Sequence, residues 1–351
     1  MTVDTAPTAT TTVGAVVAGR RHRARRRAVV IGCLAVAVLA AYAATLMIGQ
    51  TFYSPGEVIA VILGQQVPGA SFTVGTLRLP RATLGLFAGA AFGLAGVTFQ
   101  TLLRNPLASP DVIGISAGAS AAAVFAGVTL GLGDTGVSAF ALVAALATAG
   151  AIYLLSYKAG FAGTRLILIG IGVGAMLDSV VTYLLSRAAA WDLQTAMQWL
   201  TGSLNGATWE RILPLILVVV VFGSLLTGAG RSFGALHLGD DSAASLGVRT
   251  DRTRLLMILA AVILLAFATA ASGPIAFVAF MAGPIAARLV GPGGSLLLPS
   301  ALVGALLVLL ADLVGQFAFG TRYPVGVITG VLGAPFLIYL LIRTNRAGGS
   351  L

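Results

Sequence analysis

Charged side chains are scarce in this chain, at only 9% of its 351 residues, whereas soluble domains carry roughly 25% because their surfaces face water. Lysine is almost missing: Lys158 is the single copy, and the residue before it is Tyr157. A nucleotide-binding P-loop needs a Gly-Lys pair, because backbone amides cradle the phosphates while the lysine reaches the β and γ oxygens. The chain is therefore expected to carry no P-loop, and energy must come from a partner or a gradient. Cysteine occurs once, at Cys33 inside an apolar run, which excludes an intrachain disulfide and reads as a small hydrophobe. His22 and His237 lie far apart, so no Cys/His metal constellation is expected, no metal or cofactor is assigned, and no residue is read as catalytic.

What is abundant is apolar surface, at 58% of residues. A helix needs about 20 apolar residues to cross a hydrocarbon layer of roughly 30 Å. Runs of that kind fall at about 28–48, 82–103, 112–130, 137–157, 166–186, 211–229, 255–272, 275–290, 296–317 and 325–342. The fold class expected is an all-α membrane protein with about ten transmembrane helices. Residues 1–27 read as an Arg-rich cytoplasmic segment, expected to be disordered; 28–346 read as one transmembrane domain and 347–351 as a cytoplasmic tail. The first apolar run is too long for a signal peptide and lacks its polar cleavage region.

Net charge is +10, and its distribution tests the topology. With the cluster Arg20, Arg21, Arg23, Arg25, Arg26 and Arg27 placed inside, sixteen of the 21 basic residues fall on the cytoplasmic side. Arg78, Arg81, Arg187, Arg211 and Arg322 fall outside. This asymmetry follows the positive-inside rule and predicts both termini in the cytoplasm. Many of the 45 glycines lie within spans, as in the ridge Gly85, Gly89, Gly93 and Gly96, which suits close helix packing in lipid. The two short spans around Ser272-Gly273-Pro274 are expected to form a tight hairpin facing outside.

Two polar segments interrupt this pattern. In the first, Asn105, Pro106, Ser109, Pro110 and Asp111 break helix, and Gly114, Ser116 and Gly118 re-enter the membrane. Irregular backbone at that depth is tolerated only where protein or a water-filled cavity satisfies it, so these residues are candidates for a translocation pathway or gate, with a plain loop as the alternative. In the second, Asp240 or Asp241 is expected to cap a short cytoplasmic helix whose small residues Ala243, Ala244 and Gly247 leave a flat face. Such a helix suits docking into a partner's groove, and an ordinary solvated connection is the alternative.

These segments, together with Arg78-Leu79-Pro80-Arg81, the 199–206 stretch containing Gly-Ser-Leu-Asn-Gly, Gly273-Pro274-Ile275-Ala276-Phe277-Val278 and Pro324-Val325-Gly326-Val327, resemble the FecCD family. Its members are the permease subunits of ABC importers for ferric siderophores, haem and cobalamin, and within it the sequence looks most like the enterobactin type. The resemblance runs from about residue 28 to 346. It implies a type II ABC importer permease with a cobalamin-permease-like fold, working beside a second FecCD-type permease (a heterodimer favoured), two ATP-binding subunits that hold ATP and Mg, and an extracytoplasmic siderophore-binding lipoprotein. Leu238, Gly239, Asp240, Asp241, Ala243, Leu246 and Gly247 match the family's coupling helix. Arg78 and Arg81 match arginines that meet the binding protein, with Arg322 added as a docking candidate. Departures from the family pattern fall at Gly283-Pro284, where a Pro-His pair is usual, at Gln316 in place of Arg, and at Arg322 in place of an acid. A bacterial cell membrane is the implied location.

The rival reading is a proton-coupled secondary transporter, because Asp178 and Asp312 sit within predicted spans and intramembrane carboxylates are commonly functional. Asp312 matches an Ala-Asp pair of the family, where a hydrogen-bonded packing role is the plainer explanation. Asp178 matches no motif and is retained as a pathway candidate.

Overall fold

A computed structural model describes residues 9–111, 113–156, 163–236, 239–291 and 293–348, which are helical with no strand among them. In chain order the helices are α1 (Ala9–Met47), α2 (Pro55–Ile62), α3 (Leu79–Leu102), α4 (Ile115–Val124), α5 (Asp134–Ser156), α6 (Gly163–Arg187) and α7 (Ala190–Leu200), followed by α8 (Trp209–Gly228), α9 (Gly230–Leu236), α10 (Asp240–Ser245), α11 (Thr250–Ser272), α12 (Val278–Val290), α13 (Leu297–Phe317) and α14 (Val325–Gly348). A π-helical stretch, Ser71–Arg78, runs into α3, and another, Phe125–Thr129, continues α4. Among the described residues eight helices are long and apolar enough to cross a membrane; Ile115–Thr129 and Val278–Val290 are shorter apolar helices. Ten apolar elements thus follow the order expected from the hydropathy pattern, two of them short.

The bundle is organised around α3, which packs most extensively against α13, α11 and α12. Its sequence is Gly- and Ala-rich on every side, as a helix enclosed by others requires. In the most apolar window of this span 83% of residues are buried, against 17% in α5 and α6, so α3 forms the axis and those two helices face outward. A methyl at Gly89 would stand 2.5 Å from the Gly304 carbonyl oxygen, and methyls at Gly93 and Gly96 would meet the carbonyls of Ser300 and Ala279. The glycine ridge is a backbone-to-backbone seam, as small-residue packing in lipid predicts.

One expectation needs correction. The segment before residue 28 is helical from Ala9, continuous with the first span. Helix propagates cheaply once nucleated, and Ala and Arg are strong helix formers. Arg26 also donates to the Leu289 carbonyl (3.4 Å), and Arg27 donates to Gly293 (3.2 Å) and Ser295, fixing this end of α1 to the exit of α12. At the other terminus α14 continues to Gly348. α11 and α12 are joined by the short stretch 273–277, in which Gly273 and Ile275 are buried because other chain segments cover them.

Pro284 lies inside α12 and removes the N–H that would have bonded the Phe280 carbonyl. Gln100, buried on α3, fills that role by donating from Nε2 to the Phe280 oxygen at 2.9 Å. A methyl on Gly283 would collide with the same Gln100 side chain, so Gly283-Pro284 and Gln100 form one fitted unit. Replacing Gln100 with Leu strands the carbonyl in an apolar interior and should destabilise the chain by about 1–3 kcal/mol. Adding Pro284→Ala, which restores an N–H, should recover most of that loss. Denaturant unfolding in detergent of the single and double variants checks this, and simple additivity of the two substitutions would refute it.

Candidate docking surfaces and pathway

The ends of the helices carry the candidate residues. At the end of α1, Arg78 donates from Nη1 to the carbonyls of Leu46 and Met47, both at 2.9 Å, and from Nη2 to Thr51 at 2.7 Å, while its guanidinium lies 5.0 Å from the Tyr53 ring centroid. A helix leaves its last carbonyls without partners, and a cation is the natural cover for them. Arg81, one turn further, forms a bidentate pair with Asp312 of α13: Nε to Oδ2 at 2.8 Å and Nη2 to Oδ1 at 2.7 Å. Gln316 donates to the same Oδ2 at 2.7 Å, and Asn205 accepts from Arg81 Nη1. Asp312 is 1% exposed and the Arg81 side chain 18%. The carboxylate is thereby saturated by donors within the fold, which suits a fastener between α3, α13 and the 201–208 connection better than a proton relay.

A cavity of about 280 Å³ at this end is lined by Arg78, Arg81, Gln316 and Arg322. It brings together all three arginines expected at the docking face but gives them different work. Arg78 and Arg81 are committed to partners inside the fold, whereas Arg322 is exposed, with no ion pair among the described residues. Gln316 binds Asp312 directly, so at this position the amide serves as the donor.

Beside this cavity three chain segments meet on backbone. The Ser203 N–H donates to the Ser272 carbonyl at 2.8 Å, and the Gly326 N–H to the Gly202 carbonyl at 3.2 Å. Gly202 and Gly273 both have positive φ, and a methyl at Gly273 would stand 2.5 Å from the Trp199 carbonyl oxygen. Only glycine satisfies both the left-handed backbone and the close approach. The stretches 199–206, 273–278 and 324–327, separate in sequence, are one junction in space.

At the opposite end, α10 begins after Gly239, whose φ of 103° turns the chain, and no side chain caps it. Asp240 and Asp241 therefore lie within the first turn and are not the cap. Gly247 terminates the helix at φ 82°, as expected. Ala243 is fully buried against the body of the protein, so it cannot belong to a docking face; Asp241, Ala244, Leu246 and Gly247 are exposed, with Leu246 at 65%. Leu238, and likewise His237 and Lys158, lie outside the described residues. Arg104 Nη2 donates to the Leu236 carbonyl at 3.0 Å, tying the exit of α3 to the end of α9.

Of the described residues in the 105–118 segment, Asn105 and Pro106 line a cavity of about 310 Å³ with Gln100 and Pro284, and Pro106 is exposed, whereas most of those from Ala108 onward are packed. Asn105 Oδ1 accepts the Leu107 N–H (2.9 Å), turning the chain before Pro106 is passed. Asp111 accepts from Ser116 (2.9 Å) and lies 3.3 Å from the Ser109 hydroxyl. Burial raises its carboxyl above the ordinary range, and these hydroxyls only partly offset that. Ser109, Pro110, Gly114, Ser116 and Gly118 are buried. Gly114 has φ 83°, and a methyl there would stand 2.7 Å from the Gly170 carbonyl of α6; at Gly118 it would strike Thr148 of α5. These glycines seat α4 against its neighbours and face no pathway within this chain.

Asp178 is different: it is exposed on α6, and no partner for its carboxylate occurs among the described residues. On the same helix Ser179, Thr182 and Ser186 are exposed and return their hydroxyls to the carbonyls of Ala175, Asp178 and Tyr183 at 2.9, 2.9 and 2.7 Å. The hydroxyl run was missed in the sequence, where the hydropathy of α6 conceals it; a helical plot centred on Asp178 would have found part of it.

Ten apolar helical elements and a short exposed helix at one end define the class: an integral membrane protein of the transporter-permease type. Residues 34–343 match the model of the FecCD transport family, and the chain belongs to that family. It is 42% identical over 302 residues to the ferric enterobactin transport system permease protein FepG of Escherichia coli (strain K12), covering 85% of this chain and 91% of that protein. To the achromobactin transport system permease protein CbrC of Dickeya dadantii (strain 3937) it is 39% identical over 313 residues, 88% of this chain and 90% of the relative. Among solved structures, a protein described as a metal-chelate type ABC transporter in an inward-facing conformation superposes with a TM-score of 0.79 at 27% identity, over 89% of this chain and 98% of that one.

The Arg81–Asp312 pair should be expensive to break and cheap to replace. Asp312→Asn leaves a largely buried guanidinium without its counter-charge and should destabilise the chain by about 3–5 kcal/mol, whereas Arg81→Met combined with Asp312→Leu should recover most of that. Unfolding midpoints of the three proteins decide it; a double variant no more stable than Asp312→Asn would contradict this account.

Proposed function

We propose that this chain is the permease subunit of an ABC importer for ferric siderophores and forms half of the translocation pathway. Membership of the FecCD family, with relatives named for enterobactin and achromobactin transport, is the observation that carries the reading. In this account a second FecCD-type permease completes the pore, two ATP-binding subunits holding ATP and Mg drive it, and an extracytoplasmic siderophore-binding lipoprotein delivers the cargo. Both termini lie in the cytoplasm, as the distribution of basic residues supports. The chain itself performs no covalent chemistry.

The geometry supports a division of labour. Arg322, exposed at the mouth of the outer cavity, is the arginine there still available to an acidic partner surface. The α6 face carrying Asp178 is the pathway candidate: a carboxylate on an exposed helix face within a span is costly in lipid, so that face meets protein or water. At the cytoplasmic end, Leu246 and its small neighbours present a flat apolar patch to the ATPase, and the Arg104 to Leu236 bond connects that region to the central helix. ATP binding and hydrolysis would shift α10, and through this connection the inner end of α3. A large chelate is best passed by weak, adaptable walls, so substrate choice rests mainly with the lipoprotein.

Sealed vesicles containing the assembled complex should take up a ferric siderophore only with ATP inside reach of the ATPase, and uptake should stop when that partner is omitted. Leu246→Asp together with Asp241→Ala should abolish transport while the isolated permease remains folded. Uptake driven by a pH gradient alone would establish the secondary-transporter reading instead.

A further inference from the structure

The arginine cluster of α1 has a geometry that the transport reading does not use. It precedes residue 34, where the family match begins. Arg26 and Arg27 anchor the helix to carbonyls at and just after the end of α12, which fixes which face of α1 turns outward. Along that outward face Arg21, Arg25 and Val29 follow at intervals of four, and Val36 and Leu39 continue it. Val29, Val36 and Leu39 are 56%, 67% and 66% exposed, so this is the lipid-facing stripe. From Arg27 to Met47 the helix rises about 30 Å, the thickness of the hydrocarbon layer. Arg21 and Arg25 consequently stand in the headgroup zone directly above lipid-exposed apolar side chains, with Arg20 and Arg23 exposed at the same level on the face that carries Leu34, Val38 and Ala41 further along. All four arginines there are exposed, without an ion pair among the described residues, and α1 contains no acidic residue. Their counter-charge must come from outside the helix.

We propose that Arg20, Arg21, Arg23 and Arg25 form a binding surface for the phosphate groups of anionic phospholipids in the leaflet at the N-terminal end of α1. Arginine suits this position: its stem covers apolar surface while the guanidinium reaches phosphate oxygens in pairs. Continuity of Arg21 and Arg25 with the lipid-exposed stripe, and the level at which all four arginines stand, favour lipid over a soluble partner, which would have to approach through the headgroups.

The lone cysteine provides the probe. Cys33 is exposed on α1, below the arginines. The full-length chain, labelled there with a fluorophore and reconstituted in phosphatidylcholine vesicles, should be quenched more by nitroxide-labelled phosphatidylglycerol than by identically labelled phosphatidylcholine. The preference should reach about fivefold or more, since one arginine at an anionic surface supplies roughly that factor, and it should fall as salt is raised. Replacing the four arginines by Gln should remove the preference without moving the unfolding midpoint. Equal quenching by the two lipids would overturn the proposal, as would a preference that survives in the quadruple variant. A variant that keeps its lipid preference but no longer holds an ATPase partner would likewise overturn it, assigning the surface to protein.

Discussion

Lipid offers no hydrogen bonds, and the placement of many polar groups within the spans of this protein follows from that. Backbone groups are satisfied inside helices, and at two places where a helix leaves a carbonyl open a specific side chain takes over. Gln100 does so for the carbonyl that Pro284 leaves behind, and Arg78 does so for the last carbonyls of α1. The exposed hydroxyls of α6 bond to their own backbone. Because apolar side chains gain little by leaving lipid for one another, helix association relies on closeness instead, which is why glycine rather than leucine lines the seam between α3 and α13.

This constraint also explains why the family's motifs look as they do. Gly202, Gly273 and Gly326 lie far apart in sequence, and none has chemistry of its own. In the fold their backbones touch, and each is glycine because a neighbouring carbonyl occupies the place of a methyl. Arg81, Asn205 and Asp312 close the adjacent layer with charge-assisted bonds. The end of the bundle that carries Arg81 is thus held by one polar network beside one backbone junction, and most of its motif residues are consumed in building it.

Much of the architecture was legible because hydropathy and charge report directly on lipid. The ten apolar elements and their order, the glycine seam and the termination of α10 at Gly247 all follow from local rules. The site was less legible, for a physical reason: an arginine or aspartate in a motif looks the same whether it faces a partner or a neighbouring helix. Arg78 and Arg81 were expected at a docking surface and are bound within the fold. Ser109, Gly114, Ser116 and Gly118 were expected along a pathway and are packed between helices, and Ala243 was expected on a docking face and is buried. Helical periodicity could not have separated these cases, since each depends on contacts distant in sequence.

The two intramembrane aspartates show what distinguishes structure from function here. Both are carboxylates within apolar helices, so both carry the same desolvation penalty by sequence alone. Asp312 offsets it with a guanidinium and an amide supplied by its own chain, which take up three of its hydrogen bonds. Asp178 has no such compensation among the described residues and lies on an outward face. A single chain that left this charge against lipid would be poorly built, whereas one that turns it toward a second permease or a hydrated pathway would not. The incompleteness of the α6 face is therefore an argument that this chain is one part of a larger membrane assembly, independent of any relative's name.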